Sequence, residues 1–172
     1  MFRISHILTA VAAAALLVST APSAFAQASL TAEQALAAAK AVQAYAKKEG
    51  SDPSTAVVDK DGNIVLLLKG NNASPHNIGL AQRKAFTANQ FKMNSIDWRD
   101  ATKPGTPRAN ERETPNAIPL GGGVPIMVGN EVVGAVGVSG TRGGQEGDTA
   151  GAKAGAEAAA ALVQRLQAQA RN

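Results

Sequence analysis

Three residues near the middle of the chain have side chains that could bind a metal-containing or anionic ligand. His76 is the only histidine apart from His6, and neutral imidazole is a common ligand for transition metals. Arg83 and Lys84 follow seven and eight residues later, about two turns along the same side of a helix. Either cation could pair with a carboxylate, and arginine matches its planar geometry better. The spacing is compatible with a ligand-binding surface, and it is equally typical of three ordinary solvated side chains.

Apolar side chains close by could form the walls of such a site. Phe86 follows the two cations, and Phe91 and Met93 come after it, although this spacing is also typical of an ordinary core. Tyr45 and Met127 are further ligand types in segments whose pattern predicts burial. The sequence contains no nucleophile elbow, zinc-protease motif, phosphate-binding loop or dinucleotide fingerprint. The motifs therefore assign no catalytic residue.

Two helices are predicted in the first half of the chain, and the second carries the candidate ligand residues. The first begins at a capping box formed by Thr31 and Gln34 and ends before Gly50. The second opens with Ser74 as the N-cap and Pro75 at the first helical position.

Two β-hairpins are predicted, one before and one after the second helix. The first spans Thr55–Lys69 around the turn Asp59–Gly62, which lacks the further oxygen ligands of a cation-binding loop. The other joins Val124–Val128 to Val132–Val138 through a tight turn. Its last strand has glycine at every third place, so a helix, a subunit or a flat ligand could approach the backbone.

The remaining segments complete an α+β pattern. They are a short helix over Ser95–Thr102, an exposed loop over Lys103–Pro115, a flexible loop over Thr141–Gly147, and a last helix over Ala150–Ala170 capped by Asp148 or Thr149. Short hairpin connections favour an antiparallel sheet with helices packed on it over a parallel βαβ fold.

The N-terminal segment has the features of a secretory signal peptide. Arg3 precedes an apolar stretch over Ile7–Val18, and Ala24-Phe25-Ala26 matches a small-residue cleavage site. We expect cleavage after Ala26, a periplasmic or secreted single domain over 27–172, and no membrane insertion afterwards. The chain has no cysteine, which excludes thiolate chemistry. Its formal charge of +4 is scattered without a basic block, which argues against nucleic-acid binding.

Several segments in order resemble the GlcG/HbpS family of haem-binding or haem-degrading domains, which is related to the C-terminal domain of PduO-type proteins. The matching segments cover nearly the whole chain after residue 26. They are Leu36–Ala46, Ala56–Asp59, Gly62–Ile64, Ala81–Ala88, Gly122–Ile126, Val133–Gly140 and Ala154-Gly155.

The resemblance implies a profilin-like sheet of about five antiparallel strands flanked by helices, homo-oligomers and, in some members, tetrapyrrole binding. It gives the candidate residues their roles. His76 would ligate the haem iron, Arg83 and Lys84 would pair with the propionates, and Phe86 would contact the ring. Two loops, Asp100–Pro115 and Thr141–Gly147, are longer than in the family pattern and could reshape the mouth of a pocket.

The signal-peptide pattern predicts an exported protein, and the resemblance implies that it binds haem or a related tetrapyrrole for capture, buffering or slow degradation. Degradation would rely on the bound iron for its oxygen chemistry. The alternative is an accessory or sensory module that binds a small metabolite or a membrane sensor's outer domain without catalysis. A third hypothesis is an oligomeric scaffold whose glycine-rich strands serve subunit packing.

Overall fold

The computed structural model describes residues 29–171, which contain four α-helices, four strands and one short 3₁₀ helix. The helices are α1 (Ala32–Lys48), α2 (Asn77–Phe91), α3 (Ser95–Ala101) and α4 (Gly144–Gln169). The strands are β1 (Ser54–Asp59), β2 (Ile64–Leu68), β3 (Gly123–Val128) and β4 (Glu131–Ser139), and the 3₁₀ helix is Ala109–Glu113. None of the helices within 29–171 has the length and apolar character of a membrane span. The predicted signal peptide lies outside the described residues.

All four strands form one antiparallel sheet in the order β2-β1-β4-β3. The α+β class and both predicted hairpins are confirmed. The sheet has four strands, however, and not the five that the resemblance implied. The connection between α3 and β3 contains four prolines, which lack the N–H group that a strand ladder needs, and this segment of turns and the 3₁₀ helix adds no further strand.

The two faces of the sheet are covered differently. Helices α1 and α4 pack on one face, where valine and isoleucine from β1, β3 and β4 meet alanines of the two helices. Helix α2 packs on the other face through Ala81, Ala85 and Ala88, which meet Ala56 and Val58 of β1. Because these side chains are small, the helix lies close to the strands.

The predicted N-cap of α1 is present, whereas that of α2 is not. The capping box of α1 is present: the Gln34 amide donates to the Thr31 hydroxyl, and the Gln34 side chain accepts from the Thr31 amide. Helix α2 begins at Asn77 with His76 as its N-cap residue, not at Pro75 after a Ser74 cap. Ser74 instead accepts a backbone hydrogen bond from Asn77 through its carbonyl, which makes this stretch a turn.

Helix α4 begins six residues earlier than predicted. It starts at Gly144, so the predicted flexible loop is largely helical and Asp148 lies inside the helix instead of capping it. The first turn is tied down by Gln145, whose side-chain oxygen accepts from the Gly121 amide at 2.6 Å and from Arg99 at 3.0 Å. These contacts come from distant parts of the chain and offset the poor helix propensity of the glycines.

The predicted exposed loop after α3 has no buried residue over 103–115, and it contains the 3₁₀ helix. Trp98 is fully buried, and its ring stacks on Phe91 with 4.7 Å between the centroids. Its indole N–H donates to Glu111 of the 3₁₀ helix at 3.1 Å. The segment after α3 therefore packs back onto the C-terminal end of α2.

Candidate functional site

The position of α2 on the sheet is fixed by two glycines in the strands beneath it. A Cβ atom on Gly137 would overlap the Ala81 carbonyl, and one on Gly123 would overlap the Lys84 carbonyl. The helix backbone therefore rests directly on β4 and β3, as glycine in a strand permits. Held there and over β1, α2 leaves most of the same face of β2 uncovered.

A cleft of about 340 Å³ lies between α2 and the hairpin β1–β2. Its lining combines one aromatic ring, two aliphatic side chains, one guanidinium and three amide side chains beside a glycine. These residues are Val58, Gly62, Asn63, Ile64, Gln82, Arg83, Phe86 and Asn116. A cleft that combines apolar walls with a few convergent polar groups can hold a small molecule. The structure thus brings two predicted site residues, Arg83 and Phe86, into one cavity.

Arg83 is held at the cleft wall by the segment that follows the 3₁₀ helix. Its Nη2 donates to the Ala117 carbonyl at 2.7 Å. Thr87, one turn later, accepts from the Ile118 amide at 2.9 Å and donates to the Arg83 carbonyl at 2.8 Å. Because a guanidinium has five N–H donors, this one hydrogen bond orients Arg83 and leaves donors for a carboxylate.

The opposite wall is the tight turn of the first hairpin. The Asp59 carboxylate accepts from the backbone amides of Asp61 and Asn63, both at 2.9 Å, and from the Asn63 side chain at 3.2 Å. Burial raises the pKa of Asp59, but the hydrogen bonds from Asn63 and Asp61 outweigh burial and hold it below its usual range. Gly62 lies against the Phe86 ring, so the turn sits directly over the aromatic wall.

Lys84 does not point into the cleft. Its ammonium donates to Asp148 at 2.7 Å and to the Val138 carbonyl at 3.1 Å, with 3% and 6% of the two side chains exposed. Asp148 also accepts from the amides of Gly140 and Thr141 and from the Thr141 hydroxyl. A propionate would have to displace Asp148 from this buried pair. The ion pair is the physical reason to remove Lys84 from the candidate site.

His76 lies outside the cleft, at the N-cap position of α2, with an exposed side chain and no capping hydrogen bond. It precedes Arg83 by seven residues, which is roughly 10 Å along the helix axis and nearly the same side. Gly79 lies between them, and a Cβ atom added there would meet open space. The surface of α2 from His76 to Arg83 is therefore open to solvent at Gly79, and it leads to the cleft.

A second cavity, of about 520 Å³, lies at the C-terminal end of α1. Its lining is polar and contains none of the predicted site residues. Tyr45 and Met127, the two further ligand types, lie apart from the cleft. The Tyr45 hydroxyl donates to Glu49 at 2.7 Å, a bond that raises its pKa, and Met127 is on β3 at the far side of the sheet. Among residues 29–171 no three His, Asp or Glu side chains gather as a metal site.

The amide groups of the cleft and the partner of Lys84 were not predicted from the sequence. Asn116 adopts a positive φ of 67°, a conformation that asparagine tolerates, but its contact with α2 depends on the long connection folding back. Asp148 is 64 residues from Lys84, and only the tertiary structure pairs them. An acidic residue that follows a glycine-rich stretch before a helical pattern suggested a cap, so the local signal was misleading.

Comparison with known proteins gives the same architecture. GlcG of Escherichia coli is 32% identical over 110 residues, which are 64% of this chain and 81% of GlcG. The structure of a double mutant of HbpS from Streptomyces reticuli has a TM-score of 0.69 and 29% identity, covering 88% of this chain and 97% of HbpS. The structure of the PduOC–haem complex is 22% identical with a TM-score of 0.68, covers 76% of this chain and 95% of the PduOC chain, and has the same fold.

The family comparison agrees with these likenesses. The family described as "Haem degrading protein HbpS-like" matches residues 30–157, which include every strand and the cleft. The predicted resemblance is confirmed. The chain belongs to the HbpS-like family.

Proposed function

We propose that this chain binds haem or a related tetrapyrrole at the cleft between α2 and the first hairpin. The observation that carries the proposal is that Phe86 and Arg83 line the same cleft, in a chain of a family described as haem degrading. A flat macrocycle with carboxylate groups needs an apolar wall and a cation, and this cleft has both.

Different residues of the cleft would contact the ring and the carboxylates of such a ligand. Phe86, Val58 and Ile64 offer apolar contact to the ring, and Arg83 offers a guanidinium already oriented by Ala117. The cleft of about 340 Å³ takes only part of a macrocycle, so the remainder would lie over exposed surface. We propose His76 as the iron ligand, because it is exposed and on the same side of α2 as Arg83.

The bound group would supply redox and oxygen chemistry, and the protein would bind and orient it. We propose a role in haem capture, buffering or slow degradation outside the cytoplasmic membrane. The proposal of export rests on the signal-peptide pattern of residues 1–26. An accessory or sensory module without haem is the alternative that a negative binding result would favour.

The test is a titration of haemin into the protein, followed by the Soret absorbance. Arg83→Gln removes the guanidinium and is compared with Arg165→Gln, which removes an exposed charge on α4 away from the cleft. His76→Ala is titrated in parallel. We expect saturable binding that Arg83→Gln weakens by about tenfold, the usual size of one charge-assisted contact, and that Arg165→Gln leaves unchanged.

The outcomes separate the parts of the proposal. A Soret shift in His76→Ala with weaker binding would support iron ligation by His76, and an unchanged spectrum would move the ligand elsewhere. Equal effects of the two arginine variants would reject the cleft as the site. Absorbance that never saturates would reject haem binding altogether.

A further inference from the structure

We propose that a second copy of this chain pairs with the outer edge of β2 and completes the cleft. The part that concerns the ligand rests on the function proposed above, and the pairing stands on separate observations. β2 is an outer strand of the sheet, and no other strand within residues 29–171 pairs with its outer edge. Its unpaired N–H and C=O groups favour addition of another strand.

The two edges of the sheet are not equivalent. Each outer pairing contains one register shift, so bulges do not distinguish them. β3 carries Pro125, which lacks an N–H group and protects an edge against strand addition. β2, with the sequence Ile-Val-Leu-Leu-Leu, has no proline and no charge. The β2 edge can therefore accept another strand, whereas Pro125 disfavours strand addition at the β3 edge.

The exposed apolar surface is concentrated on the same strand. Six large apolar side chains are exposed among the described residues, and three of them belong to the five residues of β2: Ile64 at 45%, Leu67 at 43% and Leu68 at 38%. Ile64 pairs with Val58 and Leu67 with Ala56, so both lie on the α2 face. Because α2 is held over β1 and β4, it leaves them uncovered.

The charges at the ends of β2 indicate that the partner strand is a copy of itself. Asp61 lies in the turn before the strand, and Lys69 follows it immediately, both exposed. Antiparallel self-pairing places Lys69 of one chain beside the turn that holds the partner's Asp61, and the reverse contact forms by symmetry. This complementarity is what a two-fold interface requires, since each surface must match itself.

Pairing of this kind changes the binding site. The two-fold axis is perpendicular to the sheet, so both α2 helices lie on one face with the paired β2 strands between them. The partner's Ile64 and the partner's Leu67 extend the apolar floor of the cleft beyond Ile64. A flat ligand too large for one cleft would then lie on a shared floor, with an Arg83 on each side.

The apolar edge is tested first without haem, by light scattering after size-exclusion chromatography. Leu67→Lys puts a charge into the proposed interface. The control Met127→Lys puts a charge on β3, the other edge strand, where Met127 is 42% exposed. We expect an oligomer that Leu67→Lys reduces to a smaller assembly and Met127→Lys leaves intact. A monomeric wild type, or an assembly that only Met127→Lys disrupts, would overturn the pairing.

Two charge variants test the interface independently, in case Leu67→Lys fails to fold. Lys69→Asp and Asp61→Lys should each weaken the assembly, and the double exchange should restore it. If the doubly exchanged variant assembles as weakly as either single variant, the antiparallel pairing is wrong.

The ligand is tested by haemin titration of the same variants. Leu67→Lys should weaken haemin binding by about tenfold through loss of the partner's apolar floor, and Met127→Lys should not. Assembly without haemin binding would reject the proposed function and keep the interface. Equal haemin affinity in an assembled and a dissociated chain would reject completion of the site.

Discussion

The buried ion pair between Lys84 and Asp148 should be a large determinant of stability. Asp148→Asn keeps the size of the side chain and an oxygen for the Gly140 and Thr141 amides, but leaves the Lys84 ammonium buried without a counter-charge. Only 3% and 6% of the two side chains are exposed. Loss of one partner of such a pair costs about 3–5 kcal/mol, which is a large part of the 5–15 kcal/mol that stabilises a typical domain.

The loss should be recovered in part when the second charge is also removed. Lys84→Met with Asp148→Asn leaves no uncompensated charge, and replacement of a buried pair by apolar groups is often neutral. We therefore expect the double variant to be more stable than Asp148→Asn alone. The two substitutions should be non-additive, as expected for residues in direct contact.

The assay is urea unfolding followed by the fluorescence of Trp98, the only tryptophan of the chain. The matched control is Lys60→Gln, which breaks the pair Lys60–Asp61 at a similar N–O distance of 2.8 Å but with 45% and 61% of the side chains exposed, and which keeps Asp61 in place. Solvent screens the exposed pair, so its loss should change the unfolding free energy little. If Asp148→Asn costs no more than Lys60→Gln, the expected effect of burial is wrong.

Three further predictions use the same unfolding assay. Gly137→Ala should destabilise the fold by about 1–3 kcal/mol, because its Cβ atom would overlap the Ala81 carbonyl. Gly79→Ala should stabilise it by about 1 kcal/mol, because the position is helical and open, so equal signs for the two substitutions would contradict the packing argument. Asp59 has a pKa held below its ordinary 3.8, so it stabilises the fold above that pH and the contribution is lost as pH falls through the folded-state pKa. Stability should therefore fall more steeply below about pH 4 in the wild type than in Asp59→Asn, and equal slopes would refute this.

Much of the fold follows from local patterns in the sequence. The capping box at Thr31, the turn at Asp59 and the β-branched strands on either side of the turn after Val128 each fix an element through short-range chemistry. The α+β class followed from them. The glycines of β4 also pointed to a close approach, and the structure shows that α2 makes it at Gly137.

The remaining features depend on contacts that a local pattern does not contain. Helix α4 begins at Gly144 because Gln145 and Asp148 bind groups from distant segments. Lys84 has the spacing of a ligand-binding cation beside Arg83, and only the position of Asp148 turns it inward. Helical spacing placed both cations on a shared side, but a rotation of about 100° between neighbours separates the buried one from the exposed one.

The most direct test of the central proposal is to locate haemin on the protein by nuclear magnetic resonance. Ferric iron broadens the signals of nearby nuclei, so backbone amides report its position. We predict that broadening concentrates at Gly62, Asn63 and Phe86 and reaches the start of α2 at His76. Broadening centred on the polar cavity near Lys47, or spread evenly over the surface, would contradict the assignment of the cleft as the haem site.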